Sequence, residues 1–195
     1  TLNAQDPEFV WAKQMGGTGY DFGRSITVDD NGNVYTTGEF NEICDFDPGP
    51  GTYYLNSPLS SDIFISKLDA SGNFVWAKQM EGTSPMYGRS IAVDDDGNVY
   101  TTGEFGGTCD FDPGSGTYNL TSIQNFDIFV SKIDVSGNFV WAKQFGGTNY
   151  QYGRSIAVDN DGNVYTTGFF LGTCDFDPGS GTYNLTTFGS YDIYV

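Results

Sequence analysis

The sequence of 195 residues contains no histidine. Histidine is the commonest general base of enzymes and the commonest neutral metal ligand. Its absence excludes both a Ser-His-Asp triad and a Cys-His pair. A glycosidase built on two aspartates remains as an enzyme alternative, but nothing in the sequence singles out such a pair. We therefore predict a protein without enzymatic activity and without catalytic residues.

Basic residues are scarce: 8 Lys and Arg stand against 25 Asp and Glu, which gives a formal net charge of −17. Such a surface repels phosphate backbones and anionic lipids. No apolar run is long enough for a transmembrane segment. We expect neither nucleic-acid binding nor membrane insertion, and we expect calcium, other cations or basic partners to be favoured.

Long stretches of Ala, Leu, Glu and Lys that could form an amphipathic helix are also missing. The chain instead has 16 Phe, 13 Tyr, 3 Trp and 27 Gly. Aromatic residues favour strands, and glycine favours the turns that connect them. The composition therefore predicts an all-β protein of many short strands.

One unit of 65 residues occurs three times, and this internal repeat is the strongest pattern in the chain. Trp-Ala-Lys-Gln begins at Trp11, Trp76 and Trp141, and Gly-Arg-Ser contains Arg24, Arg89 and Arg154. We divide the chain into an N-terminal segment, residues 1–10, and three repeats, residues 11–75, 76–140 and 141–195. The third repeat is incomplete, because it lacks its own fourth strand.

Each unit predicts four antiparallel strands, which is the pattern of a β-propeller blade. In the second unit we expect strands at residues 88–94, 98–105, 127–134 and 139–145, with a short extra strand at 117–120. Apolar residues run consecutively from Ile91 to Val93, as in a sheet that is covered on both faces. A β-solenoid is the competing architecture, although a coil of 65 residues is long for one.

The combined motifs of the unit resemble the bacterial β-propeller repeat family labelled SBBP. These motifs are Gly-Arg-Ser-Ile-Ala-Val-Asp, Gly-Asn-Val-Tyr-Thr-Thr-Gly, Asp-Ile-Phe-Val-Ser-Lys-Ile-Asp and Gly-Asn-Phe-Val-Trp-Ala-Lys-Gln. The resemblance implies a β-propeller-type fold and a secreted or cell-surface protein, often of Bacteroidetes, without an assigned enzymatic activity. The long connection around Cys-Asp-Phe-Asp-Pro-Gly is larger than the family pattern leads us to expect.

The first five residues, Thr1-Leu2-Asn3-Ala4-Gln5, look like the end of a secretory signal with Ala4 at the cleavage position. An ordinary first loop is the alternative. With the family resemblance, this segment predicts an extracellular or cell-surface location.

The two ends of the chain fall inside a blade. We expect a fourth strand at residues 9–15, out of phase with the blades, and the sequence stops at Val195 within a third strand. Three blades are fewer than the usual minimum of about four in a closed propeller. The chain is thus expected to be a piece of a longer protein, half of a six-bladed ring, or one unit of a head-to-tail ring or filament.

Two functions follow from this organisation. The first is structural self-assembly into a homo-oligomer or filament, with strand exchange between chains completing the blades. The alternative is an extracellular binding module for a carbohydrate or another surface ligand, with calcium as a candidate cofactor.

Two sets of aspartates are candidate calcium ligands. Asp94, Asp96, Asp159 and Asp161 lie in hairpin turns that resemble part of a calcium loop, or that are plain turns. The second set lies in Asp-Phe-Asp-Pro-Gly, where alternate carboxylates on an extended segment repel unless a cation or backbone N–H groups offset them. An Asx turn before Pro-Gly is the alternative there. This set comprises Asp45, Asp47, Asp110, Asp112, Asp175 and Asp177.

One cysteine per unit, at Cys44, Cys109 and Cys174, cannot pair with its equivalents, since a disulfide needs Cα atoms within about 7 Å. Each is either a small buried residue or a cross-link between chains in an oxidising exterior. We interpret the repeated tryptophans and arginines as structural, the arginines through an ion pair within the blade or a backbone clamp. Glu39 and Glu104 correspond in the repeat, whereas the third unit has Phe169.

Overall fold

The structure is a computed structural model and describes residues 8–195. Within this range the chain forms strands and turns without a helix. It consequently offers no helix that could span a membrane. The strands are β1 (Gly16–Gly17), β2 (Asp21–Val28), β3 (Val34–Asp45), β4 (Tyr54–Leu68), β5 (Phe74–Gly82), β6 (Met86–Val93), β7 (Val99–Asp110), β8 (Asn119–Ile133), β9 (Phe139–Gly147), β10 (Gln151–Val158), β11 (Val164–Phe170), β12 (Thr173–Asp175), β13 (Asn184–Thr186) and β14 (Asp192–Tyr194).

The strands form three blades that follow one another in sequence order. In the first blade β2, β3, β4 and β5 pair in succession, all antiparallel, and β6 to β9 repeat this order in the second. The third blade consists of β10, β11 and β14, and β12 and β13 form an outer hairpin beside it. The prediction of an all-β protein with propeller-type repeats is confirmed, and the described sheets do not close into a ring.

The Asp-Gly sequences fold the first hairpin of each blade. Gly97 adopts a φ of +79°, a conformation that L side chains rarely take. Its N–H donates to the carbonyl of Asp94 at 2.9 Å, and the Asp94 carboxylate accepts the N–H of Asn98 at 2.8 Å. Gly32 and Gly162 repeat this geometry, so local sequence sets the register of all three hairpins.

The end of each fourth strand crosses to the next blade and joins the two. Gly82 of β5 pairs with Cys109 of β7, and Gly147 of β9 pairs with Cys174 of β12. The indole N–H of Trp76 donates across the same boundary to the carbonyl of Val135 at 3.3 Å. Trp11 makes the equivalent bond to Ala70 at 3.3 Å. The repeated tryptophan therefore ties a fourth strand to the following blade.

The phenylalanine of Asp-Phe-Asp-Pro-Gly closes the core of each blade. Phe111 is fully buried, and its ring centre lies 5.2 Å from Phe105 and 5.0 Å from Phe129. The equivalent Phe46 packs in the same way on Phe40 and Phe64. The long connection that the sequence left unexplained is thus an extension of the blade core.

Two predicted strands differ in the structure. Residues 9–15 form no ladder, and the only N-terminal pairing of the described chain is β1, two glycines against Asp45 and Cys44. The predicted strand at residues 9–15 is therefore not formed within the described chain, and its pairing with another copy stays a prediction. The extra strand at 117–120 is not separate, because β8 runs without interruption from Asn119 to Ile133. The predicted cleavage position at Ala4 lies outside the described residues.

Candidate functional site

The repeated arginines sit on β-bulges in the first strand of each blade. The register of β2 against β3 shifts between Gly23 and Ser25, which leaves Arg24 unpaired in the ladder. The same shift occurs around Arg89 and Arg154. A bulge re-aims the side chain that it displaces. The three arginines consequently point along the row of first strands, which contact one another from blade to blade.

Arginines and glutamates alternate along this row as a ladder, named here the Arg–Glu ladder. Arg89 donates from Nε and Nη2 to Oε1 of Glu104 in its own blade, at 2.8 and 2.6 Å. Arg24 holds Glu39 in the same way, and Arg89 Nη1 also lies 4.0 Å from Glu39 of the preceding blade. Each glutamate therefore lies between two guanidinium groups and links neighbouring blades.

Burial shapes the electrostatics of the ladder. Desolvation raises the pKa of Glu104 above its ordinary value, although hydrogen bonding and the charges of Arg89 and Arg154 oppose it. The hydrogen bond to Glu39 raises the pKa of Arg24. Glu104 Oε2 is buried without a hydrogen-bond partner. Glu104 is thus a desolvated carboxylate whose pairing with the arginines favours its ionised form.

The third blade breaks the ladder at Phe169. Within the described chain, the carboxylate that Arg154 contacts is Glu104 of the preceding blade, at 3.4 Å from Nη1. Its guanidinium carbon lies 5.0 Å from the ring centres of both Tyr152 and Phe169. The Tyr152 contact has equivalents in the first two blades, so the cation–π contact with Phe169 is the one that replaces the in-blade ion pair there.

A continuous row of aromatic rings surrounds this break. Ring centres are 6.3 Å apart between Phe126 and Tyr150, 6.1 Å between Tyr150 and Tyr152, and 5.3 Å between Phe169 and Tyr191. We name this row the aromatic strip; it comprises Tyr87, Phe126, Tyr150, Tyr152, Phe169 and Tyr191. Sequence reasoning did not identify it. The available signal was departure from the repeat at Phe169, which replaces a glutamate, whereas Tyr150 repeats Tyr20 of the first unit.

The outer faces of the first and third blades expose residues whose equivalents in the other blades are buried. Ile26 on the first blade is 66% exposed, whereas its equivalents Ile91 and Ile156 are 5% and 7% exposed. We call this the leading face. On the third blade, Ile193 is 78% exposed, whereas Ile63 and Ile128 are fully buried, and we call this the trailing face.

A glycine marks the leading face. A Cβ on Gly88 would lie 2.6 Å from Thr37 Oγ1 and 3.1 Å from Ile63 of the preceding blade. A Cβ on Gly153 would meet Thr102 and Ile128 in the same way. At Gly23, the nearest atom of the described residues is its own blade's Thr36, at 3.7 Å. Glycine is thus required where a blade packs against this position, and Gly23 has no such neighbour among the described residues.

Backbone N–H groups surround the candidate calcium aspartates of Asp-Phe-Asp-Pro-Gly. Asp110 Oδ1 accepts the N–H groups of Asp112 and Tyr118 at 3.0 and 2.8 Å, and Asp112 Oδ1 accepts that of Gly114 at 2.8 Å. Asp45 with Asp47 and Asp175 with Asp177 repeat these bonds. Two consecutive Asx turns therefore offset the repulsion that motivated the calcium interpretation.

The hairpin aspartates are held by their own turns. Asp94 and Asp159 accept side-chain hydrogen bonds from Asn98 and Asn163, while the backbone N–H groups of Asp96 and Asp161 donate to them. No group of three or more His, Cys, Asp or Glu side chains within residues 8–195 is arranged to hold a metal ion. The structure does not bring the candidate ligands together, and calcium binding stays a prediction.

All three cysteines are buried, free thiols in the cores of their blades. Burial raises the pKa of Cys109 to about 12, and of Cys44 and Cys174 to about 12 as well. Because the thiolate is the reactive form, these thiols are protected from oxidation at neutral pH. An inter-chain cross-link would require local opening of a blade.

Comparison with known proteins agrees with the blade architecture. Residues 10–39, 75–104 and 140–168 match the family described as SBBP, beta-propeller repeat. Each segment includes a fourth strand or its equivalent and the first strand of the next blade. The resemblance seen in the sequence is thus confirmed for the repeats.

Two curated relatives are much longer than the chain. It is 28% identical over 221 residues to an uncharacterized WD repeat-containing protein, L264, of Acanthamoeba polyphaga mimivirus, covering 97% of this chain and 16% of that protein. It is 26% identical over 162 residues to the regulatory protein FlaEY of Caulobacter vibrioides, covering 82% of this chain and 16% of that protein. The chain is thus an all-β protein with three propeller-type repeats, and three of its segments, each on a blade boundary, are similar to the SBBP β-propeller repeat.

Proposed function

We propose that this chain is a non-enzymatic structural protein that assembles head to tail with further copies of itself. The trailing face of one copy packs against the leading face of the next. The observation that carries the proposal is Gly23, a glycine on an exposed face. Its equivalents Gly88 and Gly153 have no room for a Cβ because a preceding blade packs on them.

The internal blade boundaries supply the chemistry of the proposed junction. At the first boundary, Ile63 packs against Gly88, and at the second, Ile128 packs against Gly153. The pair that lies one repeat beyond Ile128 and Gly153 is Ile193 of one copy and Gly23 of the next copy, and we expect these two residues to be in contact at the junction. An exposed apolar face of this kind favours association. The equivalent faces inside the chain are covered by a neighbouring blade, so a blade of another copy is the complementary partner.

A hydrogen bond also repeats across the internal boundaries. The N–H of Ile91 donates to Ser25 Oγ at 3.3 Å, and that of Ile156 donates to Ser90 Oγ at 3.2 Å. The next acceptor in this series is Ser155, which is exposed on the third blade. Its donor in the proposed junction is the N–H of Ile26 of the next copy.

Strand pairing adds to the junction. β14 pairs with β11 on one side, and its other edge is unpaired in the described structure. Ile63 pairs with Met80 and Ile128 pairs with Phe145. The equivalent partner of Ile193 is therefore Met15 of the next copy. Residues 9–15 of one copy would thus add the fourth strand to the third blade of another, as edge pairing requires.

The native mass in solution tests the proposal. We expect multiples of the 21.2 kDa chain by light scattering on a sizing column. Ile193→Asp would place a charge in the junction and is expected to shift the protein to the monomer, because a buried unpaired carboxylate is costly.

Phe188→Asp is the matched control. Phe188 is 98% exposed, and its equivalents Pro58 and Ile123 are exposed too, so no blade covers this position. This variant should keep the mass of the unmodified chain. A monodisperse monomer for the unmodified chain at all concentrations would refute assembly between copies.

A further inference from the structure

Arg154 lacks the carboxylate that its equivalents bind. Arg24 and Arg89 each bind the glutamate of their own blade through Nε and Nη2. In the third blade Phe169 stands at the glutamate position, and the described contact of Arg154 with a carboxylate is made by Nη1 alone. The edge formed by Nε and Nη2 is the one that binds a carboxylate in the other two blades.

This arginine is accessible to a ligand. Its side chain is 37% exposed, compared with 19% for Arg89 in the middle of the ladder. The Arg–Glu ladder contains three arginines and two glutamates, so one positive charge has no carboxylate of its own. A local cation therefore faces solvent on a chain whose net charge is −17.

The aromatic strip lies directly beside this cation. The Tyr152 and Phe169 ring centres are 4.8 Å apart, and Tyr191 lies 6.1 Å from Tyr152. Tyr191 is exposed, and Tyr150, Tyr152 and Phe169 are half-buried. Such rings offer apolar faces for packing and, in the tyrosines, hydroxyl groups for hydrogen bonds.

We propose that Arg154 and the aromatic strip bind a carboxylate carried on a ring that has an apolar face. The guanidinium edge takes the carboxylate as Arg89 takes Glu104, and the ring of the ligand packs on the strip. This chemistry occurs in the uronic acids of acidic polysaccharides and in small aromatic acids. The site lies within a single chain and does not rest on the proposed assembly.

The overall negative charge of the protein does not prevent this binding. Charges on the far surface are screened over a Debye length of about 8 Å at physiological salt. A hydrogen-bonded pair with a partly buried guanidinium is screened less. The short-range pair therefore decides affinity, while the net charge slows the approach of an anion.

Binding is measured by calorimetry with three probes: trigalacturonate, its fully methyl-esterified form, and benzoate. At least one of the two free acids should bind, and the ester should not, because only a free acid carries the carboxylate. Arg154→Gln should weaken binding by about tenfold or more, which is the usual contribution of a hydrogen bond to a charged group.

Phe169→Glu is the second variant. It restores the residue that the first two blades carry and supplies Arg154 with its own carboxylate, so it should abolish binding while the fold is retained. Tyr191→Ala should weaken binding through loss of packing. Lys143→Gln and Tyr183→Ala remove an exposed charge and an exposed ring outside the strip, and both should leave affinity unchanged.

The outcomes separate the two sources of ligand. Binding of benzoate but not trigalacturonate, lost in Arg154→Gln, would assign the site to small aromatic acids. Binding of trigalacturonate with the same dependence would assign it to acidic sugars. Equal binding of ester and acid, unchanged affinity in Arg154→Gln and Phe169→Glu, or no binding of either acid would overturn the proposal.

Discussion

Gly23 and Gly88 occupy the same position in neighbouring repeats, and their surroundings differ because the first blade packs against Gly88, whereas no described blade packs against Gly23. Thr37, which a Cβ on Gly88 would strike, is itself held by a 2.8 Å hydrogen bond from its hydroxyl to the carbonyl of Phe64. The obstacle is therefore not a freely moving side chain. At Gly23 an added methyl group would make an ordinary van der Waals contact with Thr36, at 3.7 Å, without a clash among the described residues.

We predict opposite effects of alanine at these two positions. Gly88→Ala should lower the midpoint of thermal unfolding by roughly 2–12 °C, from an overpacking cost of about 1–3 kcal/mol. Gly23→Ala should leave the midpoint unchanged or slightly higher, since glycine loses more freedom on folding than alanine does. Differential scanning calorimetry of the two variants, each under monomeric conditions, checks this.

Gly23→Ala should also reduce the native mass, because its methyl group would meet Ile193 of the neighbouring copy. A variant that is as stable as the original chain but monomeric would separate assembly from folding. If Gly23→Ala assembled normally, the leading face would not be the contact surface.

Repetition decided which residues were predictable. The arginines occur in every unit, and an in-blade ion pair was among the interpretations that their repetition allowed. Phe169 joins the aromatic strip because it departs from the repeat, and a repeat-based argument passes over such a position. Its proximity to Tyr152 arises from pairing between β10 and β11, a contact that the sequence pattern alone does not place.

At the scale of strands and turns, local chemistry was sufficient where the partners lie close in sequence. The Asp-Gly hairpins and the strands around them follow from turn preference and apolar patterning. The N-terminal segment shows the opposite case: residues 9–15 repeat the sequence of β5 and β9 but form no ladder. A strand is a property of a pair, and this one lacks its neighbour among the described residues.

The aspartates of the hairpin turns and two strand aspartates, Asp62 and Asp127, have pKa values shifted in opposite directions. Hydrogen bonds from Asn163 lower the pKa of Asp159, and in Asp94 burial is outweighed by hydrogen bonds from Asn98 and Tyr100. Desolvation raises the pKa of Asp62 and of Asp127. Asp127 Oδ1 is buried without a hydrogen-bond partner, which agrees with that direction.

These shifts predict that stability is greatest at mildly acidic pH, about 4 to 5. The turn aspartates have lowered pKa values, so unfolding takes up protons and stability is lost as the pH falls below about 4. Asp62 and Asp127 have raised pKa values, so unfolding releases protons and stability falls as the pH rises from about 4 through those values. Thermal unfolding measured from pH 3 to pH 8 checks both limbs.

Asp127→Asn is the variant that isolates the loss of stability above about pH 4. It removes the buried charge and should flatten the decline of the unfolding midpoint above about pH 4. A stability that rises steadily up to pH 8 in the unmodified chain would contradict the assignment.

At the scale of the whole molecule, the proposed junction and the proposed ligand site meet at Phe169. Glu39 lies between Arg24 and Arg89, and Glu104 lies between Arg89 and Arg154. Continuing this order across a head-to-tail junction sets Arg24 of the next copy beside Phe169. Two guanidinium groups would then flank a position that has no carboxylate of its own.

A ligand carboxylate bound there would contact both copies, and binding would therefore favour assembly by linkage. We predict that the acid probe that binds Arg154 raises the native mass of dilute protein, and that Arg24→Gln weakens this effect. In the monomeric Gly23→Ala chain, Arg24→Gln should leave the affinity for the probe unchanged, because only Arg154 then takes part. A native mass that stays constant at saturating ligand would show that the two sites act independently, since linkage requires the ligand to bind the assembled and free chains with different affinity.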